Sequence, residues 1–374
     1  MMEELFAGDC ELPNVSPVAA EAYDRESDKL LKQVQGQLGA HPGIRALTGR
    51  GPVEMMNKNL QDHPKIMSLA FRFNSCEFLV RTIAWEYSSC HSRGFSYDFF
   101  PLKFAAWESA ITSGIEQPVW RTEILAVYQW LARHHKDLVS LSQTGADFSA
   151  SAPGETDELL RIFLALLLKG DCQGCLDLAE QSIGSADDLR CFYLKVIWPA
   201  MVRIGYLWEQ NQVSVAEEHV ATAIVGRVMA SLYPKISLSE VTRGEAVVSS
   251  GPNELHEVGA RMLADFLEMD GWDVSYLGAN SSALKLIDLL RERQPFMVAL
   301  SVATVFTLEK ARQTIRMIKE DPQTKDIKIM VGGTAFSGLP QLWREVGADG
   351  FGADAGSAVS LCGQWWADRS AGPC

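Results

Sequence analysis

The sequence predicts an all-helical N-terminal half followed by an α/β domain with a doubly wound parallel sheet. Apolar residues recur three and four positions apart as far as about residue 235, which indicates helices. From residue 243 onward, five short apolar strands alternate with helices, as in a parallel sheet that is covered on both faces. Two stretches of small and polar residues, 143–156 and 234–244, separate the blocks.

These boundaries divide the chain into four parts. Residues 1–20 are polar and carry two prolines, which predicts a flexible arm. Residues 21–145 form an all-helical domain, in which the apolar positions from Trp120 to Leu141 lie on one face of a single long helix. Residues 155–235 form a four-helix bundle, and residues 243–374 form the Rossmann-like domain.

Charge and hydropathy exclude several partners. The chain has 34 basic and 47 acidic residues, a net charge of −13, which argues against binding to nucleic acid or to an anionic membrane. The acidic start has no apolar core of a signal peptide, and the longest aliphatic run, Leu164–Leu168, is far too short to cross a bilayer. We therefore predict a cytoplasmic protein with no direct nucleic-acid or membrane partner.

A metal-binding histidine is predicted in the first strand-to-helix connection of the α/β domain. His256 follows the strand at 246–249, and ligands of doubly wound folds bind outside the carboxyl ends of the strands. Glu254 can accept a hydrogen bond from one ring nitrogen of His256, which fixes the tautomer and strengthens the other nitrogen as a metal donor. Gly259 leaves room for a large ring system beside the start of the helix.

Small and hydroxyl-bearing residues follow two later strands. Ser301 and Thr304 end the third strand and offer hydroxyl groups to a buried ligand. Gly332 and Gly333 end the fourth strand, where the absence of side chains allows an aromatic base to approach the backbone.

Taken in order, these residues resemble the motif of cobalamin-binding domains in methyl carriers, mutases and photoreceptors. That motif reads D/E-x-H-x-x-G, then S-x-L or S-x-T, then GG, and the resemblance covers about 130 residues. It implies that His256 is the lower axial ligand of cobalt, and that Glu254, Gly259, Ser301, Thr304, Gly332 and Gly333 help to bind the corrinoid. The alternative is a surface histidine in an unrelated flavodoxin-like domain.

The bundle carries a second part of the resemblance. Trp208 is followed, after nine residues, by Glu218 and His219, which matches the W-x9-E-H motif of adenosylcobalamin-dependent photoreceptors. The resemblance implies that Trp208 packs on the adenosyl group while Glu218 and His219 hydrogen-bond to it. A core tryptophan beside a surface Glu-His pair is the alternative. In those photoreceptors a histidine follows the tryptophan and captures cobalt after illumination. Here the residue is Glu209, so we predict no stable two-histidine complex through this position.

The N-terminal helices are rich in aromatic residues. Eleven of the 37 residues from 71 to 107 are aromatic, far more than the chain average of 9%, which is consistent with either a thick core or the wall of a pocket. His134 lies on an otherwise apolar helix face. The helix order resembles globin-like sensor domains, and a globin-like domain joined to a cobalamin module is the layout of photocobilins, which bind biliverdin. The resemblance implies a bilin site near His134; a ligand-free dimerisation domain is the alternative.

Together these features predict a sensor rather than an enzyme. The leading hypothesis is a light sensor that binds adenosylcobalamin, with biliverdin as a candidate second chromophore. Breakage of the cobalt–carbon bond by light would change the assembly of a homo-oligomer and signal to a protein partner. The alternative is a corrinoid methyl-carrier protein that serves a methyltransferase system. A third class is a cobalamin carrier or anti-repressor without photochemistry.

Overall fold

The computed structural model describes residues 12–49, 53–143, 157–235, 240–337, 339 and 341–370. They belong to two compact units. The first comprises Met1–Phe148 together with the segment Glu209–Gln212, and the second comprises Ser149–Trp208 and Val213–Cys374. Within the described ranges, no helix is long and apolar enough to cross a membrane.

The first unit is helical in its described residues, as the sequence predicts. Its interior contains many buried aromatic side chains, and the hydroxyl groups of Tyr23 and Tyr128 lie 2.9 Å apart there. The helices are α1 Pro17–Gly39, α2 Ile44–Thr48, α3 Val53–Phe73, α4 Cys76–Ser92, α5 Phe99–Gly114, α6 Pro118–Arg133 and α7 His135–Gln143. Helix α1 packs against α3, α5 and α6, whereas α4 packs against α7.

The predicted arm over residues 1–20 is wrong at its C-terminal end, because α1 already begins at Pro17. The Ser16 hydroxyl caps this helix by accepting a hydrogen bond from the Ala19 amide, and proline is favoured in a first helical turn. Val15 is buried, and its amide donates to the side chain of Asn74 at 2.8 Å. These contacts anchor the chain ahead of the helix. Residues 1–11 lie outside the described part of the chain.

The single helix predicted from Trp120 to Leu141 is also wrong. His134 ends α6, and α7 starts at the next residue. The apolar spacing continues across this break, since Leu131 and Leu138 are both buried. The apolar periodicity of the sequence therefore does not reveal the break between α6 and α7.

The second unit begins with the predicted helical bundle. Its last helix starts with a capping box, in which Ser214 and Glu217 each accept a hydrogen bond from the other's backbone amide. This cap fixes the register of Glu218 and His219 in the first turns. The helices are α8 Glu158–Leu168, α9 Cys172–Ser182, α10 Ala186–Phe192, α11 Trp198–Glu209 and α12 Val215–Leu232, with a π-helical turn at Tyr193–Ile197 between α10 and α11.

The predicted parallel sheet is confirmed. All pairs of neighbouring strands are parallel, and the spatial order is β2-β1-β3-β4-β5. The strands are β1 Glu245–Ser250, β2 Asp273–Tyr276, β3 Met297–Ser301, β4 Lys328–Gly332 and β5 Gly350–Gly352. The helices between and after them are α13 Val258–Met269, α14 Ala283–Arg293, α15 Leu308–Glu320, α16 Leu342–Glu345 and α17 Ala355–Ser370.

The sheet topology determines where a ligand can bind. The direction of winding reverses between β1 and β3, so the loops that follow these two strands diverge and leave a crevice at their carboxyl ends. The register aligns Ser250 with Ser301, and Ser301 with Gly332, so the three strands end at the same edge.

The bundle packs against the sheet domain through α13. Met262, Phe266 and Met269 of α13 belong to the same apolar cluster as the buried bundle residues. Two polar contacts accompany this packing: the Tyr193 hydroxyl donates to Asp265 at 2.8 Å, and the Tyr233 hydroxyl donates to Glu268 at 2.9 Å.

Candidate functional site

The loop after β1 holds the predicted metal-binding residue at the crevice. Helix α13 starts at Val258, so His256 lies on the loop between β1 and this helix. The Ser250 hydroxyl donates to the carbonyl of His256 at 2.9 Å, and the Asn280 amide donates to the carbonyl of Glu254 at 2.8 Å. These hydrogen bonds therefore fix the backbone of the loop at Glu254 and at His256.

Glu254 is the centre of the site's hydrogen bonding. Its side chain is buried, and its Oε1 accepts from the His256 amide at 3.1 Å and lies 2.5 Å from Nδ1 of the same residue. Its Oε2 accepts from the amides of Ala303 and Thr304 at 2.9 and 3.2 Å and from the Thr307 hydroxyl at 2.9 Å. One carboxylate thus joins the loops that follow β1 and β3.

The electrostatics of this pair favour a charged carboxylate beside a basic imidazole. Burial acts to raise the pKa of Glu254, but hydrogen bonds from His256 and Thr307 outweigh it and lower the pKa to about 2. The hydrogen bond to Glu254 raises the pKa of His256 above its ordinary value, and the charge of Glu218 acts in the same direction. Glu254 therefore holds the proton of the neutral imidazole on Nδ1 and leaves the lone pair on Nε2.

That nitrogen is available to a ligand. Nε2 of His256 makes no hydrogen bond to any described residue, and 59% of the side chain is exposed. No group of three or more histidine, cysteine or acidic side chains that could hold a metal occurs in the described part of the chain. The exposed imidazole nitrogen of His256 can supply one protein donor to a metal that receives its other ligands from a cofactor.

The remaining predicted residues of the sheet domain lie along the same edge. Gly259 is exposed in the first turn of α13, and a Cβ there would lie 3.5 Å from the Ser301 hydroxyl. Gly333 has φ of +102°, and a Cβ there would lie 2.3 Å from the Val302 carbonyl, so only glycine fits. The backbone of Thr304 is held by Glu254, and its hydroxyl lies 3.4 Å from that of Thr307.

Exposed apolar side chains surround this edge. Leu255 is 72% exposed beside His256, Tyr276 is exposed at the end of β2, and Leu284 is exposed in the first turn of α14. Exposed apolar groups around a polar centre are typical of a site for a large, mostly apolar ligand.

The bundle supplies one predicted residue that acts on the site directly. Glu218 is close enough to His256 for its charge to raise the pKa of that imidazole. Glu218 also lies 2.5 Å from Nδ1 of His219 and accepts from the Thr222 hydroxyl at 2.8 Å. The His219 side chain is 72% exposed, and Trp208 is half-buried in the last turn of α11.

Sequence reasoning missed three residues of the site. Ser249 and Ser250 are fully buried at the end of β1, and Ser250 binds the carbonyl of His256. Two serines after a run of valines at a strand end could have been recognised. Thr307 could not, because its contact with Glu254 depends on the turn that follows β3.

The histidine proposed for a bilin lies at a helix end. His134 stacks on Trp130 with ring centroids 4.1 Å apart, and its Nδ1 lies 2.9 Å from the Trp130 carbonyl. The aromatic residues of α5 are fully buried, and Lys103 is buried among them in an ion pair with Glu86. These side chains form a packed core, which favours the interpretation of residues 71–107 as a thick core over the wall of a pocket.

Comparison with known proteins supports a cobalamin-binding domain in the second unit. Residues 244–360 match the family model of the B12 binding domain, and residues 159–233 match a second model of the same description. The matches support a cobalamin-binding family. The second unit combines a helical region with a B12-binding, Rossmann-like parallel sheet.

Relatives with similar sequences are corrinoid proteins. Dimethylamine corrinoid protein 1 of Methanosarcina mazei is 23% identical over 43% of this chain and 74% of its own length. Dimethylamine corrinoid protein 1 of Methanosarcina acetivorans is 24% identical over 54% of this chain and 95% of its own length. The solved monomethylamine corrinoid protein of Methanosarcina barkeri is 15% identical, covering 55% of this chain and 97% of that one, with a TM-score of 0.47. About half of this chain lies outside each of these matches.

Proposed function

We propose that this protein binds a cobalt corrinoid at the carboxyl edge of its sheet, with Nε2 of His256 as the lower ligand of cobalt. The observation that carries the proposal is the Glu254–His256 pair, in which a buried carboxylate engages Nδ1 at 2.5 Å and leaves the opposite nitrogen exposed. The match of residues 244–360 to the B12 binding domain supports the choice of ligand.

The residues along the edge fit such a group. Gly259 leaves an open surface beside His256 for the ring system, with the exposed Leu255 next to it. Ser301 and Thr304 at the end of β3, with Gly332 and Gly333 at the end of β4, would border the nucleotide tail. A bound corrinoid supplies a cobalt–carbon bond that can break and release its carbon group.

The names of the related proteins favour one function for the cobalt–carbon bond. These proteins are named as dimethylamine corrinoid proteins, which supports a carrier of methyl groups between partner methyltransferases. In this use, the chain holds and orients the cofactor while a partner protein carries out the transfer. Glu254 keeps the Nδ1 proton in place and so tunes how strongly His256 donates to the metal.

The bundle supports a second candidate, a light sensor that binds adenosylcobalamin. Trp208, Glu218 and His219 have the spacing of the photoreceptor lid, and the Glu218 charge reaches His256. About half of the chain also lies outside the matches to the dimethylamine corrinoid proteins. Light would then change the assembly of a homo-oligomer and signal to a protein partner, and biliverdin near His134 is part of this candidate.

A binding experiment tests the corrinoid proposal. His256→Ala removes the proposed donor nitrogen, whereas His219→Ala removes an exposed imidazole that is not the proposed lower ligand. We expect His256→Ala to weaken binding of methylcobalamin at least tenfold and to change its absorption spectrum, while His219→Ala does neither. Equal affinity and an unchanged spectrum in His256→Ala would contradict the proposal.

Light separates the two candidates. A sensor should prefer adenosylcobalamin to methylcobalamin, and its absorption and its molecular mass in solution should change after green illumination. A carrier should show no such preference and no change of assembly. Titration with biliverdin tests the second chromophore independently, through a far-red absorption band that should weaken in His134→Ala.

A further inference from the structure

We infer that the first unit regulates the upper face of the proposed corrinoid site through Arg93, which holds the residue next to Trp208. The inference rests on the proposed function, and in particular on its second candidate, in which Trp208 covers the face of the corrinoid opposite His256. Glu209 follows Trp208 directly, and the segment Glu209–Gln212 belongs to the first unit. The segment also lies between the two parts of the proposed lid, since α12 with Glu218 and His219 begins shortly after it.

Main-chain contacts hold this segment. Glu209 is the last residue of α11, where helix carbonyls lack partners within the helix and carry partial negative charge. The Glu209 carbonyl accepts from Nη1 of Arg93 at 2.9 Å and from the Ser92 hydroxyl at 2.8 Å. Arg93 is itself fixed by the carbonyl and hydroxyl of Ser89, at 2.8 and 2.7 Å. A positioned cation therefore caps the end of the helix that carries Trp208.

Side-chain contacts reinforce the cap. Burial raises the pKa of the Glu209 carboxyl, while a hydrogen bond with Trp85 and the charge of Arg93 act to lower it. The Gln210 side chain donates to the Ser88 hydroxyl at 3.1 Å. Adjacent Cα atoms in a chain are about 3.8 Å apart, so these contacts limit how far Trp208 can move.

Helix α4 provides these contacts from one face. Trp85, Ser88, Ser89 and Ser92 are spaced three, one and three apart, which places them along one side of the helix. The neighbouring positions Glu86 and Tyr87 are buried in the core of the first unit. A change in that core that shifts α4 would therefore shift Arg93 and, with it, the residue bonded to Trp208.

The experiment compares full-length variants that differ in this cap. Arg93→Ala removes it. Arg121→Ala is the matched control, because Arg121 also contacts carbonyls at a helix end, those of Thr112 and Ile115, both at 3.4 Å. The measured quantity is the ratio of adenosylcobalamin affinity to methylcobalamin affinity, since contacts below cobalt are common to both ligands and cancel. Hydrogen exchange of the amides at 207–213 in the corrinoid-free chain gives a second readout.

We expect Arg93→Ala to lower the affinity ratio about tenfold, the equivalent of one charged hydrogen bond, and to speed amide exchange by a similar factor. Arg121→Ala should leave both at wild-type values. A wild-type ratio in Arg93→Ala would overturn the inference while leaving corrinoid binding intact. If Arg93→Ala does not fold, Trp85→Phe, which removes the donor to the Glu209 carboxyl, is judged by the same ratio. A wild-type chain that binds neither corrinoid would refute the proposed function and this inference with it.

Discussion

Asp265 should make the protein less stable as the pH rises from 4.5 to 7. Its carboxyl is buried between α13 and the bundle and accepts from Tyr193 at 2.8 Å. Burial raises its pKa from 3.8 to about 6, although the contact with Tyr193 and the charge of Arg261 act in the opposite direction. Because the pKa is higher in the folded state, the favourable contribution of the protonated acid is complete below pH 3.8 and is lost as the pH rises through 6.

The size of this effect follows from the shift. About two pKa units at 1.36 kcal/mol each correspond to about 3 kcal/mol in the free energy of unfolding, of which about 2 kcal/mol falls between pH 4.5 and 7. Asp265→Asn keeps an acceptor for the Tyr193 hydroxyl and cannot ionise. Relative to wild type, the variant should therefore gain about 2 kcal/mol of stability over this pH range.

Urea denaturation at several pH values measures this difference. The control is Asp368→Asn, which removes an exposed carboxyl on α17 and so measures what the loss of one surface carboxyl does to stability. A difference between wild type and Asp265→Asn that stays constant from pH 4.5 to 7 would refute the reasoning, because Asp265 would then ionise equally in the folded and unfolded states.

Three further predictions concern single contacts. Glu254→Gln should weaken corrinoid binding about tenfold to a hundredfold in a spectroscopic titration, because the amide cannot hold the Nδ1 proton of His256 as a carboxylate does; wild-type affinity would exclude that role. Gly333→Ala should lower the free energy of unfolding by about 3 kcal/mol, because alanine disfavours the positive φ and its Cβ would clash with the Val302 carbonyl. The control is Gly205→Ala, which should not lower the free energy of unfolding, because nothing lies within 4 Å of the new Cβ. Glu86→Gln should cost about 3–5 kcal/mol in thermal unfolding, because it leaves a buried Lys103 without its carboxylate; an unchanged Tm would show that the pair is dispensable.

The sequence predicted the fold well where local patterns and tertiary packing agree. The strands β1, β3 and β4 are short and mostly apolar runs, and the helices between the strands have the expected spacing. The prediction failed where packing overrides the local pattern. Pro17 starts a helix because Ser16 and Asn74 hold the chain before it, and the break at His134 leaves the apolar periodicity unchanged.

The sequence predicted only those contacts of the site that join residues close together in the chain. The Glu254–His256 contact joins residues two apart, so the spacing alone indicated it, and the structure contains it. The contacts of Glu254 with Ala303 and Thr307 span about fifty residues and depend on how the two loops meet. The cap on the Glu209 carbonyl depends on Ser92 and Arg93 at the end of α4, more than a hundred positions earlier, which no local motif reveals.

The most direct test of the central claim is the electron paramagnetic resonance spectrum of the Co(II) corrinoid bound to protein labelled with nitrogen-15 in its histidines. If Nε2 of His256 binds cobalt, each hyperfine line should change from a triplet in unlabelled protein to a doublet in labelled protein, and the doublets should disappear in His256→Ala. Triplets that persist in the labelled wild-type protein, or doublets that survive in His256→Ala, would contradict the assignment.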